Sequence, residues 1–213
     1  MPTRRIFAEN LPSVSEYLAP RLIEGTSALS EQLAAGDTEP PGGAIAALVA
    51  AWAASLAAAA ADRSRSAWDG AAGALAQARA LRARAIKLAE RGALAHAEAL
   101  QTLKGARGEA GTEADKRRDW QLGRAVQEAA EAPFELAACG LDIAQLAQMI
   151  AGHAAGDVQA DAVVAAQLAA AAAAAGAHLV EINLVVGGDR GPAKAARELA
   201  SAAAAAAAES VAE

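Results

Sequence analysis

Roughly a third of the 213 residues in this chain are alanine, and aromatic residues make up only 3%. Alanine is the strongest helix former, while the β-branched and aromatic side chains that favour strands are scarce, so the chain is expected to be all-α. Alanine helices are thin and let neighbouring backbones approach closely, yet each residue removes little apolar area from water. Such a chain needs many helix contacts. The expected architecture is therefore a single-domain bundle of long, alanine-rich helices spanning residues 1–213, with a core from about 13 to 210, that dimerises to supply more contacts. At this length one domain can bury a sizeable core.

The composition is most concentrated between Thr38 and Asp62, where a Pro/Gly turn runs directly into an uncharged alanine-rich helix. Glycines at a helix start let backbone come close to a ligand, and the free N–H groups there favour negative charge. Ala44 to Ala61 is also long enough to be screened as a membrane span, for which about 18 apolar residues suffice. Its apolarity is mostly alanine, which drives insertion far less than leucine or isoleucine, so a buried helix of a soluble bundle is expected and no membrane partner.

The formal net charge of −6 and a pI near 5.2, with no extended basic run, disfavour a nucleic-acid partner. Cys139 is the sole cysteine, which excludes an internal disulfide and any multi-cysteine metal site; a small buried apolar residue is expected there. Met1 to Phe7 is followed by Ala-Glu-Asn rather than the apolar core of a signal peptide, so a cytoplasmic location is expected.

Along the chain, Ser13 or Ser15 is placed to cap a first helix to about Glu24, with an interruption at Gly25-Thr26 and a restart at Ser27 as far as Ala35. Gly36 to Gly43 reads as a loop, followed by the long helix to about Asp62. A second long helix is expected from Trp68 to Lys104, with Leu75, Leu81, Ile86, Leu88 and Leu94 among its larger apolar residues. After a flexible Gly105 to Gly111 loop, Thr112 can cap a helix ending near Glu131. Pro133 then suits the first turn of another helix reaching about His153. Asp157 can cap a helix through the alanine tract to Gly176 or beyond, and His178 to Val186 is expected to continue it, because a lone strand would lack a partner. The last helix is expected from about Pro192 to Glu213.

No dinucleotide fingerprint, P-loop, zinc pattern or nucleophile elbow occurs. His96, His153 and His178 are scattered and do not form a ligand pair at helical spacing, so no metal site is expected. Asp157 and Asp161, four residues apart, share a helix face near its positive end; by spacing alone they read as a cap with a solvated neighbour. Asn183 lies in an apolar segment, where a buried amide needs hydrogen-bond partners.

The order of these features resembles the cyclodeaminase/cyclohydrolase family. These are folate enzymes related to the C-terminal domain of formiminotransferase-cyclodeaminase and to bacterial methenyltetrahydrofolate cyclohydrolase. The resemblance rests on the Pro/Gly turn entering an alanine-rich helix, Ala-x-x-x-Pro133, the run from Asp157 through Asp161, and Val180-Glu-Ile-Asn183-Leu, and covers roughly residues 13–210. The family's Pro-Gly-Gly-Gly-Ser turn stands here as Pro40-Pro41-Gly42-Gly43-Ala44, and its Ser-Asp-Ala-Gly as Ala160-Asp161-Ala162-Val163. Its Asn-Leu-Thr, followed by Lys and Tyr, is replaced by Asp62-Arg63-Ser64-Arg65-Ser66, and its Asp-x-x-Ala-aromatic by His96-Ala97-Glu98-Ala99-Leu100.

The resemblance implies a dimeric helical bundle that binds a reduced folate near the turn, with no metal or redox cofactor. It implies hydrolysis of methenyltetrahydrofolate to formyltetrahydrofolate, or alternatively formiminotetrahydrofolate cyclodeamination, or a catalytically silent paralogue that binds a folate or a protein. Asp161 is then the expected catalytic carboxylate. His96, standing in the place of the family's acid, is a second proton-transfer group, since an unperturbed imidazole titrates near neutrality. Gly42, Gly43, Asp157 and Asn183 are the expected substrate-binding residues, and the turn is expected to face Asp161 across the cleft.

Overall fold

The computed structural model describes residues 20–35, 42–104, 113–184 and 190–212. Among them are six helices and no strand: α1 Pro20–Ala35, α2 Gly42–Arg63, α3 Ala71–Lys104, α4 Glu113–Ala151, α5 Asp157–Leu184 and α6 Gly191–Ala212. The expected caps Ser13, Ser15 and Thr112, residues 36–41 of the expected Gly36 to Gly43 loop, the loop at 105–111, and residues 185–189 and 213 lie outside the described residues, while Gly42 and Gly43 already belong to α2. The chain falls into two compact units, Met1–Pro40 and Pro41–Glu213. The first contributes α1. The second contains the other five helices, the core and the site described below.

Within the second unit, α5 packs against α2, α4 and α6, while α4 touches α2, α3, α5 and α6. The two helices contribute complementary sizes. The largest fully buried side chains on α4 are Leu136, Ile143 and Ile150, spaced seven residues apart, which is the period that keeps one seam facing a partner helix. On α5 every buried residue is alanine except Gly176 and Val180. Nine alanines of α2 are buried as well, which places this uncharged helix in the core with about half of its most apolar window covered. By length and composition alone, α2, the Asp115–Ala151 stretch and α5 are each long and apolar enough to cross a membrane.

Two expected breaks are absent. α1 runs through Gly25-Thr26 without interruption, because a helical glycine costs about 1 kcal/mol relative to alanine but keeps its N–H in the ladder. α4 runs through Pro133 as a single helix of 39 residues. Proline deprives the carbonyl four residues earlier of its helical donor, and the carbonyl concerned, that of Ala129, accepts a hydrogen bond from Asn183 Nδ2 at 3.0 Å instead. A tertiary donor thus bridges the gap that local rules read as a helix end.

The α3 helix starts at Ala71 rather than Trp68, since Ser64 to Gly70 form a compact turn in which the Trp68 N–H donates to the Ser64 carbonyl at 3.0 Å. Of its expected apolar anchors, Leu75, Leu81 and Leu88 are in the core, whereas Ile86 and Leu94 are exposed. The segment from His178 to Leu184 is helical and continues α5. At the α4–α5 corner Gly156 has φ 61°, a left-handed conformation that glycine adopts without steric cost. Cys139 is buried, and its burial, only partly offset by the nearby Arg84, raises its thiol to about 11.

The α4–α5 contact depends on two glycines. A Cβ at Gly140 would lie 2.8 Å from the Ala169 carbonyl oxygen, and one at Gly176 would lie 2.7 Å from the Pro133 carbonyl oxygen and 2.9 Å from the Ala137 nitrogen. Those neighbours are backbone and cannot swing aside. Gly176→Ala is expected to lower stability by about 1–3 kcal/mol through overpacking. Gly123→Ala, where a Cβ meets nothing within 4 Å, is expected to be neutral or to add up to about 1 kcal/mol. Urea unfolding midpoints for the two variants check this, and a loss of equal size in both would sink the close-approach account.

Candidate functional site

The N-terminus of α2 opens onto a cavity of about 380 Å³, walled by α2, α3, α4 and α5. Each helix supplies a stripe at helical spacing. From α3 come Leu88, Gly92, His96, Ala99 and Leu100; from α4 come Leu122, Val126, Ala129, Ala132, Pro133 and Leu136. Residues at i, i+4 and i+7 share one face, so the cavity reads as a seam where two helices diverge. Gly42, Gly43 and Ala47 from α2 and Leu179, Ile182 and Asn183 from α5 complete the lining.

The wall is apolar except at two side chains, His96 and Asn183, and His96 is the sole titratable group among the described lining residues. Glycines shape the entrance. A Cβ at Gly43 would stand 3.3 Å from Leu179 Cδ1, and one at Gly92 would stand 4.0 Å from the backbone nitrogen of Ala44. Gly92 thus sits beside the first turn of α2, and the first four N–H groups of a helix have no intrahelical acceptor. Beside the cavity Arg91 Nη1 donates to both carboxylate oxygens of Glu135, at 3.0 and 2.9 Å, tying α3 to α4.

The structure thus brings together Gly42, Gly43, His96 and Asn183, and leaves Asp157 and Asp161 elsewhere. Both aspartates sit at the opposite end of α2. Arg63 Nη1 donates to Asp161 Oδ2 at 2.9 Å, and its Nη2 pairs with Asp157. Asp161 and Asn183 are 22 positions apart on one unbroken helix, about 33 Å at a rise of 1.5 Å per residue. The expected face-to-face arrangement of Asp161 and the glycine turn is therefore corrected: within one chain a continuous α5 holds the acid at the far end.

At that end Trp68 stacks on His153, with ring centroids 4.5 Å apart and planes 15° from parallel. Sequence reasoning gave Arg63 no role, although the one basic residue of α2, closing a stretch uncharged from Gly42 to Ala61, is a signal of an acidic partner. It also missed Gly92, which stands four residues before His96 and so shares its face. Among the described residues no three His, Cys, Asp or Glu side chains group to hold a metal ion.

Because Arg63, Asp157 and Asp161 are 45%, 83% and 45% exposed, their pairs resemble surface ion pairs, whose measured worth is about 0–1 kcal/mol. Asp161→Asn is expected to cost less than about 1 kcal/mol in urea unfolding and to leave ligand binding in the cavity unchanged. A variant that folds normally but loses binding would return Asp161 to the site.

Comparison with known proteins agrees with this fold. The family model described as formiminotransferase-cyclodeaminase matches residues 26–202. The crystal structure of formiminotetrahydrofolate cyclodeaminase from Thermotoga maritima is similar in fold, with a TM-score of 0.71 at 20% sequence identity, covering 92% of this chain and 94% of that one. No curated protein matches. The chain belongs to the formiminotransferase-cyclodeaminase family, the folate-related cyclodeaminase/cyclohydrolase group.

Proposed function

We propose that the protein binds a reduced folate in the α2–α5 cavity and hydrolyses methenyltetrahydrofolate to formyltetrahydrofolate, with His96 as the proton-transfer group. The observation that carries this reading is the meeting of Gly42, Gly43, His96 and Asn183 around one apolar cavity of about 380 Å³. That volume lies within the range of about 300–1,000 Å³ usual for small-molecule sites. It has room for the fused-ring head of a folate, with the charged tail left in solvent.

Water attacks the carbon between N5 and N10, forming a C–O bond as electrons move onto nitrogen. His96 takes one proton from the attacking water and returns it to the nitrogen that departs when the ring opens, while the remaining hydroxyl proton leaves to solvent as the carbonyl forms. N–H groups of the first α2 turn favour the oxygen on which negative charge develops. The catalytic role expected of Asp161 passes to His96 in this account.

A second reading, formiminotetrahydrofolate cyclodeamination, is favoured by the similar Thermotoga maritima protein, which is named for that activity. There N10 attacks the formimino carbon, the ring closes, and His96 protonates the departing ammonia. The two reactions move the methenyl chromophore in opposite directions, so one spectrophotometer distinguishes them. Purified protein is expected to speed loss of the methenyl absorbance above the spontaneous rate, and His96→Asn to lower that acceleration by about 10²- to 10⁴-fold. Appearance of the chromophore from formiminotetrahydrofolate would establish the second reading. Binding of folate without acceleration of either reaction would eliminate both and leave a silent binding paralogue.

We also propose that two copies associate through the outer faces of α2 and α5. Trp52 on α2 is 49% exposed and Val164 on α5 is 45% exposed, and the neighbouring outer positions of α2 from Gly42 to Ala61 carry no charge. Light scattering is expected to give a dimer mass, with Trp52→Glu shifting it to the monomer. A monomeric wild-type protein would sink this proposal.

A further inference from the structure

We propose that Asn183 is the positioning residue of the cavity: its amide replaces the backbone donor that Pro133 lacks, and that bond fixes its oxygen as the hydrogen-bond acceptor offered to a ligand. Position 133 would donate to the Ala129 carbonyl in an uninterrupted α-helix, and proline has no N–H to give. Asn183 Nδ2 donates to that same carbonyl at 3.0 Å. Ala129, Pro133 and Asn183 all line the cavity, so the substituted bond lies in its wall.

The orientation of the amide follows from its partner. A backbone carbonyl only accepts, so the nitrogen must face Ala129 and the oxygen Oδ1 remains for the cavity. Pro133 also packs closely against the same face of α5, because its carbonyl oxygen lies 2.7 Å from where a Cβ on Gly176 would be. A wall segment without its own helical bond is thereby held against one face of α5 by a glycine and an asparagine seven positions apart. The ligand atom that meets Oδ1 must be a donor, N–H or O–H, since an acceptor there would face another acceptor. Reduced folates carry ring N–H and amino donors, and this ligand half of the inference rests on the folate reading above.

The test has a stability arm and a binding arm. Asn183→Ala is expected to raise the unfolding equilibrium constant by up to roughly tenfold in urea titrations, the effect of leaving a half-buried carbonyl without its donor. In a Pro133→Ala background residue 133 supplies the helical N–H, so the same substitution is expected to cost little. Equal losses in both backgrounds would overturn the bracing role.

For the binding arm, tetrahydrofolate is titrated against Pro133→Ala proteins carrying Asn183→Asp or Asn183→Leu. The Asp variant keeps the acceptor and is expected to bind as Pro133→Ala alone does; the Leu variant is expected to lose binding at matched stability. Equal affinity of the two would overturn the acceptor assignment. Failure of the wild-type protein to bind tetrahydrofolate would end the folate reading and the acceptor assignment with it, while the stability arm still decides the brace.

Discussion

The close approach of α4 and α5 is the constraint on which the rest of the bundle depends. Gly140 and Gly176 bring the two backbones within a distance at which no Cβ would fit. That contact sets the height and rotation of α5 against α4. From it follow the meeting of Asn183 with the Ala129 carbonyl, the burial of Val180 against the Ala193 and Ala196 face of α6, and the position of Leu179 against the start of α2. Alanine helices leave room for such proximity, while Leu136, Ile143 and Ile150 on α4 supply the volume that alanine cannot.

Pro133 shows how a local weakness becomes a site. A proline inside a long helix withdraws one bond from the ladder, and a wall with an unpaired carbonyl is unstable unless something donates to it. Here the donor comes from α5, and the same side chain is one of two polar side chains among the described lining residues. Fold and recognition therefore share a residue.

The helical class was legible because composition alone decides between alanine helices and strands. The continuation through His178 to Leu184 was legible too, since a single strand has nowhere to pair. Helix ends were less so. Gly25-Thr26 and Pro133 are strong local signals, but Pro133 is overruled by a donor on the next helix, which no local rule contains. For the site, the family resemblance singled out Gly42, Gly43, His96 and Asn183, which do converge. Asp161 does not within one chain, and the reason was available in the sequence: a helix continuous from Asp157 past Asn183 must separate its two ends by its own length. A carboxylate suits the chemistry, but that suitability does not shorten the helix.

The interior of α2 and α5 consists of alanines that are almost without exception fully covered, and this makes their tolerance of mutation one-sided. A larger side chain at most of these positions meets a neighbouring backbone or Cβ, whereas the changes that fit, to glycine or serine, weaken the helix. Neither direction improves the packing. The alanine tracts of α2 and α5, which look like low complexity when read along the chain, are thus the narrow set of sequences their neighbours permit, and drift is left to the outer faces and to the turns.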